Sequence, residues 1–264
     1  MNLPIFLASI WLPCAFLCGQ TPSPAPKDGE SPLRTIRVLV AGRRAMPEFA
    51  KQGDQYVEVE PASKSIIPNA LELTGAIETT AGETGKAPEP KKMVWPNEVV
   101  TLGRYRCPSQ LGLRLIRTLA TQPHTPPQLT CELGDLLEPL LVISADDSNS
   151  GWDRPQIRVI DLSPAKLPSR TVVAINLTRI PLAAQFDTVK ANLAPASIGL
   201  LPLPPTAPEV IRFRVDAQVK SGMVPVANSS YQLGASCHLI LLASPNSQVA
   251  EGVPPLSLQM VLYQ

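Results

Sequence analysis

The chain has 264 residues, of which 44% are hydrophobic and 17% charged, and its formal net charge is +1. That apolar fraction excludes a wholly disordered chain, and the near-neutral, mixed charge excludes the basic footprint of a nucleic-acid binder. With 30 prolines against 15 glycines, a helical protein is disfavoured, because proline breaks helix interiors and is tolerated at strand edges and turns.

In chain order, residues 5–17 are almost entirely apolar and are followed by Gly19, Gln20 and Thr21. This is the pattern of a secretory signal over 1–19, although no Lys or Arg precedes it and Pro4 and Pro13 interrupt it. The run is shorter than the roughly 20 residues of a membrane helix, so export to the periplasm or beyond is expected, with no membrane span in the mature chain. Residues 20–33 are rich in Pro, Ser and charge without apolar periodicity and read as a linker. Cleavage near Gly19 leaves Cys107, Cys131 and Cys237, an odd set that cannot all pair within one molecule. Cys107 and Cys131 are the candidate disulfide, and three buried thiols are the competing reading.

Internal similarity appears in three places. Thr35-Ile-Arg-Val-Leu-Val followed by Val57-Glu-Val-Glu-Pro-Ala-Ser-Lys-Ser-Ile-Ile-Pro68 matches Thr171-Val-Val-Ala-Ile-Asn followed by Val189-Lys-Ala-Asn-Leu-Ala-Pro-Ala-Ser-Ile-Gly-Leu-Leu-Pro202. Trp95-Pro-Asn-Glu-Val-Val-Thr-Leu matches Ala207-Pro-Glu-Val-Ile-Arg-Phe. Each half then ends in two apolar runs around a polar link: Leu140-Leu-Val-Ile-Ser with Gln156-Ile-Arg-Val-Ile-Asp-Leu, and Leu239-Ile-Leu-Leu-Ala-Ser with Leu256-Ser-Leu-Gln-Met-Val-Leu-Tyr. Their shared order predicts duplication, with the boundary near 163–170. Short apolar runs bounded by Pro, Gly, Asn and Asp, and alternation such as Ile211-Arg-Phe-Arg-Val, predict strands with one wet face. The expected fold is therefore all-β, with two tandem related β-sandwich (Ig-like) domains, mostly antiparallel, at 34–163 and 169–264. Residues 69–92 read as a flexible insert in the first domain. Residues 109–119 fit either a helix face (Leu111, Leu115, Leu119) or a strand (Leu111, Leu113, Leu115).

Chemistry is sparse. Only His124 and His238 are present, too few for a His-rich metal centre. His238 follows Cys237, but neighbours on a strand point to opposite faces. The Gly-x-Ser-x-Gly elbow, glycine-rich phosphate loops and the His-Glu-x-x-His signature are absent from the sequence, so no catalytic, cofactor-binding or metal-binding residue is assigned. Asp146, Asp147, Asn149 and Asp153 gather oxygens in one short stretch beside Trp152, which makes these five residues the candidate ligand or partner loop. As a calcium loop it fails, since Ile157 occupies the position of the last carboxylate. Turn chemistry is the plainer reading. Trp95 and Trp152 are candidates for stacking on a sugar, or for core filling.

The stretch Val172-Val-Ala-Ile-Asn-Leu-Thr, followed by Leu193-Ala-Pro-Ala-Ser, resembles small exported bacterial β-sandwich proteins in which a Val-x-Val-x-Asn strand leads to a proline-bearing turn. It is also similar to the periplasmic accessory proteins of alginate O-acetylation. In the first half, Gly42 stands where that motif has Asn. The resemblance implies an adaptor or envelope-scaffold role and brings no catalytic residue with it. The expected function is a non-catalytic binding or scaffold module for an envelope protein or polysaccharide, without nucleic acid and with the oligomeric state open. The alternative is a carbohydrate-binding or carbohydrate-processing factor with its site between the halves.

Overall fold

Each apolar run in this chain is cut short by Pro, Gly, Asn or Asp, which limits the segments to lengths that sheets stabilise and isolated helices do not. A computed structural model describes residues 31–42, 48–59, 65–78, 91–117, 128–146, 151–234, 237–246 and 253–263. The signal expected at 1–19 and most of the 20–33 linker lie outside these residues.

The chain is all-β. The first half contains β1 (Leu33–Ala41), β2 (Glu48–Gln52), β3 (Gln55–Val59), β4 (Ala70–Thr74), β5 (Ile77–Glu78), β6 (Lys92–Met93), β7 (Val99–Arg106), β8 (Gln110–Ile116), β9 (Gln128–Glu132), β10 (Pro139–Asp146) and β11 (Gly151–Asp161). The second contains β12 (Thr171–Asn176), β13 (Leu182–Phe186), β14 (Val189–Leu193), β15 (Ile198–Pro202), β16 (Val210–Val219), β17 (Gly222–Gln232), β18 (His238–Pro245) and β19 (Leu256–Tyr263). In the first half the sheet β11-β10-β1-β7-β5 faces β6-β4-β8-β9, and in the second β15-β12-β18-β19 faces β14-β13-β16-β17. Apart from the short β5, which pairs with β7 and has no counterpart, the pairings correspond. β1 is parallel to β10 and antiparallel to β7, as β12 is parallel to β18 and antiparallel to β15. β4 pairs with β6 and β8, and β8 with β9, as β13 pairs with β14 and β16, and β16 with β17. The two domains are thus tandem, related β-sandwiches.

Period-2 alternation fills each sandwich. Ile36, Val38 and Val40 of β1 meet Leu111, Leu113 and Leu115 of β8, with Leu141 and Ile143 of β10 in the same core. The ambiguous segment is therefore a strand, because the alternation of its leucines lets all three reach the core from one face. In the second half Val172 and Ala174 meet Ile211, Phe213 and Val215, with Leu239 and Leu241 beside them.

The central strands are buried on their other face as well. Leu39 and Ala41 of β1 and Leu140 and Val142 of β10 join Val173 and Ile175 of β12 and Ile240 and Leu242 of β18 in a third core shared by both halves. Leu167, in the link between β11 and β12, is buried in it too. An unbroken apolar run, as in Leu239-Ile-Leu-Leu-Ala, is the sequence form that burial on both faces requires.

Three expectations need correction. Residues 69–92 are not a loose insert: Ala70 and Leu71 are fully buried in β4, which is the counterpart of β13. The short alternating run Ala70-Leu-Glu-Leu-Thr carries this strand, and 79–90 lie outside the described residues. The segments of the first half without a counterpart are the hairpin β2–β3 and the short β5.

The match of Trp95–Leu102 with Ala207–Phe213 is out of register, since the former leads into β7 and the latter into β16. The counterpart of Ala207-Pro208-Glu209 is Cys107-Pro108-Ser109, where Ser109 and Glu209 each accept a backbone bond, from Leu133 and Leu233 respectively. Likewise, Ala194-Pro195-Ala196-Ser197 corresponds to Trp95-Pro96-Asn97-Glu98, both turns having a left-handed third residue (φ 55° at Ala196, 60° at Asn97). Val57, matched with Val189 in the sequence, sits in β3, while Val189 sits in β14.

The third correction concerns Asn176. Its register counterpart is Val40 rather than Gly42, because each lies opposite an equivalent residue of the parallel neighbour, Ala243 and Ile143. The function of the Asn is nevertheless served in both halves. Asn176 donates from Nδ2 to the carbonyls of Ile180 (2.9 Å) and Ala194 (3.0 Å), tying the end of its strand to the proline turn. In the first half the amide comes from the turn: Asn97 donates to the Gly42 carbonyl (2.7 Å) and accepts from its N–H (3.0 Å).

The shared core predicts mechanical unity. All three tryptophans precede residue 153, so fluorescence reports on the first half. Leu242→Ala, in the second, is expected to lower the stability read by tryptophan fluorescence in urea by about 2 to 5 kcal/mol, as for other buried Leu truncations. The transition should remain single.

Candidate functional site

Of the loop singled out in the sequence, the described residues Asp146, Trp152 and Asp153 point to different partners. Asp146 accepts a hydrogen bond from Gln156 Nε2 (3.0 Å) across the neck of the β10–β11 hairpin. Asp153 pairs with Arg117 Nη1 at 2.8 Å. Trp152 turns inward, 3% exposed, into the core of the first sandwich. Its ring explains Gly42: a Cβ there would stand 3.0 Å from Trp152 Cζ2 and 3.1 Å from Ile67 Cδ1. Trp152 is thus a core residue and not a stacking platform, while Trp95 remains exposed. Asp147, Asn149 and His124 lie outside the described residues. Among the described residues no three His, Cys, Asp or Glu side chains gather as a metal site, and no helix is long and apolar enough to cross a membrane.

Cys107, Cys131 and Cys237 are free, buried thiols in the structure. Burial raises the pKa of Cys107, opposed by the adjacent Arg34. Cys131 is pushed up to about 11, first by burial and then by Cys107 and Glu132. Both are protonated at neutral pH, the opposite of what a nucleophilic cysteine needs. The influence of Cys107 on Cys131 shows that the two thiols suggested as a disulfide are neighbours in one core.

A charged residue that the sequence reading passed over proves structural. Arg34 is 1% exposed and donates to the carbonyls of Leu136, Gly134 (2.6 Å) and Cys107 (3.4 Å). Its counterpart Arg170 donates to the carbonyls of Ala207 and Pro208, both at 2.6 Å. Each arginine stands just before the Thr that opens its half, and each donates a charge-assisted bond to the loop between equivalent strands, β7–β8 for Arg34 and β15–β16 for Arg170, while Arg34 also holds the β9–β10 loop. The signal was legible as Arg-Thr at the head of each half.

Where the halves meet, polar groups border the shared core. Arg37 pairs with Glu138 (3.0 Å) and lies over the ring of Tyr263, 5.1 Å from its centroid. Tyr263 stacks on His238 with centroids 5.8 Å apart. Two residues come from each half, so the cluster closes the joint. His238 Nδ1 is buried without a protein partner, and burial lowers its pKa. The space between the halves, where the alternative reading puts a carbohydrate, is filled by apolar side chains, with this cluster alongside.

The most exposed apolar surface lies elsewhere. The hairpin β2–β3 is a two-stranded sheet joined to no other. Cross-strand partners share a face, so Phe49, Lys51 and Tyr56 fall on one side and Ala50 and Val57 on the other. Phe49 is 60% and Tyr56 73% exposed. A two-stranded ribbon with wet aromatics gains little from its own burial, so these side chains do not serve the fold. The signal for it was Gln52-Gly53-Asp54-Gln55, a turn closed by Gly53 at φ 65° and flanked by the two aromatics.

No protein-family model matches the chain, and no curated protein matches it in sequence.

The joint is expected to respond to acid. Because the folded pKa of His238 is lowered below 6.5, the unfolded chain takes up the proton first. This site's contribution is complete above about pH 6.5 and declines as the pH falls toward the folded value. Urea titrations of wild type and His238→Phe at pH 7.5 and 5.5 should show a larger acid-induced loss in wild type. Equal losses would remove His238 from the joint's pH response.

Proposed function

We propose that this chain is a non-catalytic exported protein, periplasmic or secreted, that acts as a binding, adaptor or scaffold module for another envelope protein or polysaccharide. In this reading the two halves descend from one duplicated sandwich, docked back to back as a rigid body, and the first has acquired a hairpin for contact. The observation that carries the proposal is that hairpin. It has no counterpart in the second half, belongs to no larger sheet, and displays Phe49 and Tyr56 on one face. Exposed aromatics flanked by polar residues are the usual anchors of protein contacts and equally suit the faces of sugar rings. The apolar N-terminal run and the resemblance to exported envelope proteins point the same way.

The alternative, a carbohydrate site between the halves, has less support, because the facing surfaces there are occupied by apolar side chains. The exposed aromatic face of the hairpin is the better place for a glycan, if a glycan is the partner.

The test is recovery of partners from the native envelope fraction by tagged full-length chain, with proteins and glycans identified by mass spectrometry. Phe49→Ser/Tyr56→Ser should reduce recovery at least about tenfold, the effect of losing one or two anchors, while leaving the urea transition unchanged. Undiminished recovery with the double variant would move the contact off the hairpin.

A further inference from the structure

The two sandwiches treat one matching side in opposite ways. In the first, β9 and β11 border that side and lie against each other. Their sequences, QLTCE and GWDRPQIRVID, include Glu132, Asp153, Arg154, Arg158 and Asp161. Closure and charge both oppose the addition of a further strand.

In the second sandwich the same side is bordered by β17 and β19. β17 runs along β16 and makes no comparable contact with β19. The two sequences, GMVPVANSSYQ and LSLQMVLY, contain no charged residue. β17 is the last strand of its sheet, is 11 residues long, and has no buried residue. Met223 on β17 is 52% exposed and Leu262 on β19 40%. On β16, Arg212 lies opposite Ser230 and Arg214 opposite Asn228, and Arg214 is neutralised by Asp216 at 2.9 Å. A long uncharged edge without a covering element is the arrangement that soluble β-proteins otherwise avoid.

We propose that this edge pairs with the same edge of a second copy, forming a two-fold dimer in which two four-stranded sheets join through antiparallel β17 strands. Charge selects this occupant. In a self-paired strand every residue meets a residue of the same sequence, so any run of like charge would repel its own mate. β17 meets that condition and the β9–β11 side does not. Pro225 donates no backbone hydrogen bond, which leaves 226–232 to form the ladder, centred on Ser229. Asn228 then faces Ser230 of the mate. This dimer leaves the hairpin β2–β3 on the other sandwich free, so each dimer presents two copies of that aromatic face.

Sedimentation velocity of the full chain across the micromolar range tests the proposal. Wild type should reach twice the 28.4 kDa chain mass. Asn228→Lys/Ser230→Lys and Asn228→Glu/Ser230→Glu should each stay monomeric, and an equimolar mixture of the two should recover the dimer. Circular dichroism and urea midpoints, taken alongside, should show both variants folded as wild type. A wild type that stays monomeric overturns the proposal, as does a dimer that survives both substitutions. A monomer that instead captures an unrelated extended peptide at β17 would overturn the choice of a second copy.

Discussion

Burial of the central strands on both faces is the constraint from which the rest of this architecture follows. In β1, β10, β12 and β18, one set of alternate residues fills a sandwich and the other fills the space between sandwiches. Either sandwich alone would expose Leu140 and Val142, or Ile240 and Leu242, to water. At roughly 1.5 to 3 kcal/mol for each large apolar side chain removed from water, such a surface strongly favours docking. The resulting body is closer to one domain of three cores than to two modules on a tether, and the short link is anchored to it by the buried Leu167.

Polar groups set geometry around that apolar frame. Arg34 and Arg170 each reach the carbonyl of an equivalent residue, Cys107 and Ala207, with Arg34 also holding Gly134 and Leu136 of a second loop, and Asn97 and Asn176 tie the first strand of each half to its proline turn from opposite sides of the same gap. Burying a guanidinium is costly unless its donors are satisfied, and the buried Arg34 meets that cost with three backbone carbonyls. The same tie is supplied by a different residue in each half, which places the constraint in the joint between strand and turn. The cluster of Arg37, Glu138, Tyr263 and His238 joins the halves where the apolar contact gives way to polar groups. Among the described residues, the exposed hairpin and the uncharged β17 edge are not committed to structure in this way.

Much of the fold was legible because alternation and punctuation survive in the sequence. Ile211-Arg-Phe-Arg-Val shows its buried face directly, and Leu239-Ile-Leu-Leu-Ala signals burial on both faces without saying against what. The register of the internal similarity was harder. Pro-Ala-Ser drew attention at Pro61 as well as at Pro195, although the matching turn is Trp95-Pro-Asn-Glu, where Asn97 and Ala196 share a backbone conformation and not a residue type. The strand at Ala70-Leu-Glu-Leu-Thr was lost among polar neighbours because five residues carry little periodic signal. The described residues of the candidate loop part for a similar reason. Oxygen-rich composition does not specify direction, and Asp146, Trp152 and Asp153 are drawn apart by Gln156, the core and Arg117. The hairpin, in contrast, has a turn signal at Gly53, but the exposure of Phe49 and Tyr56 follows from the lack of a second layer over them, which no local pattern shows.

Native-state hydrogen exchange of the full chain addresses the shared core most directly. If the third core makes the two sandwiches one cooperative body, amides of β1 and β10 in the first half and of β12 and β18 in the second should exchange only through global opening, with the same free energy and the same denaturant dependence. Should one set open at a distinctly lower free energy while the other stays protected, the halves would be separate modules in contact, and the third core would not be what unites them.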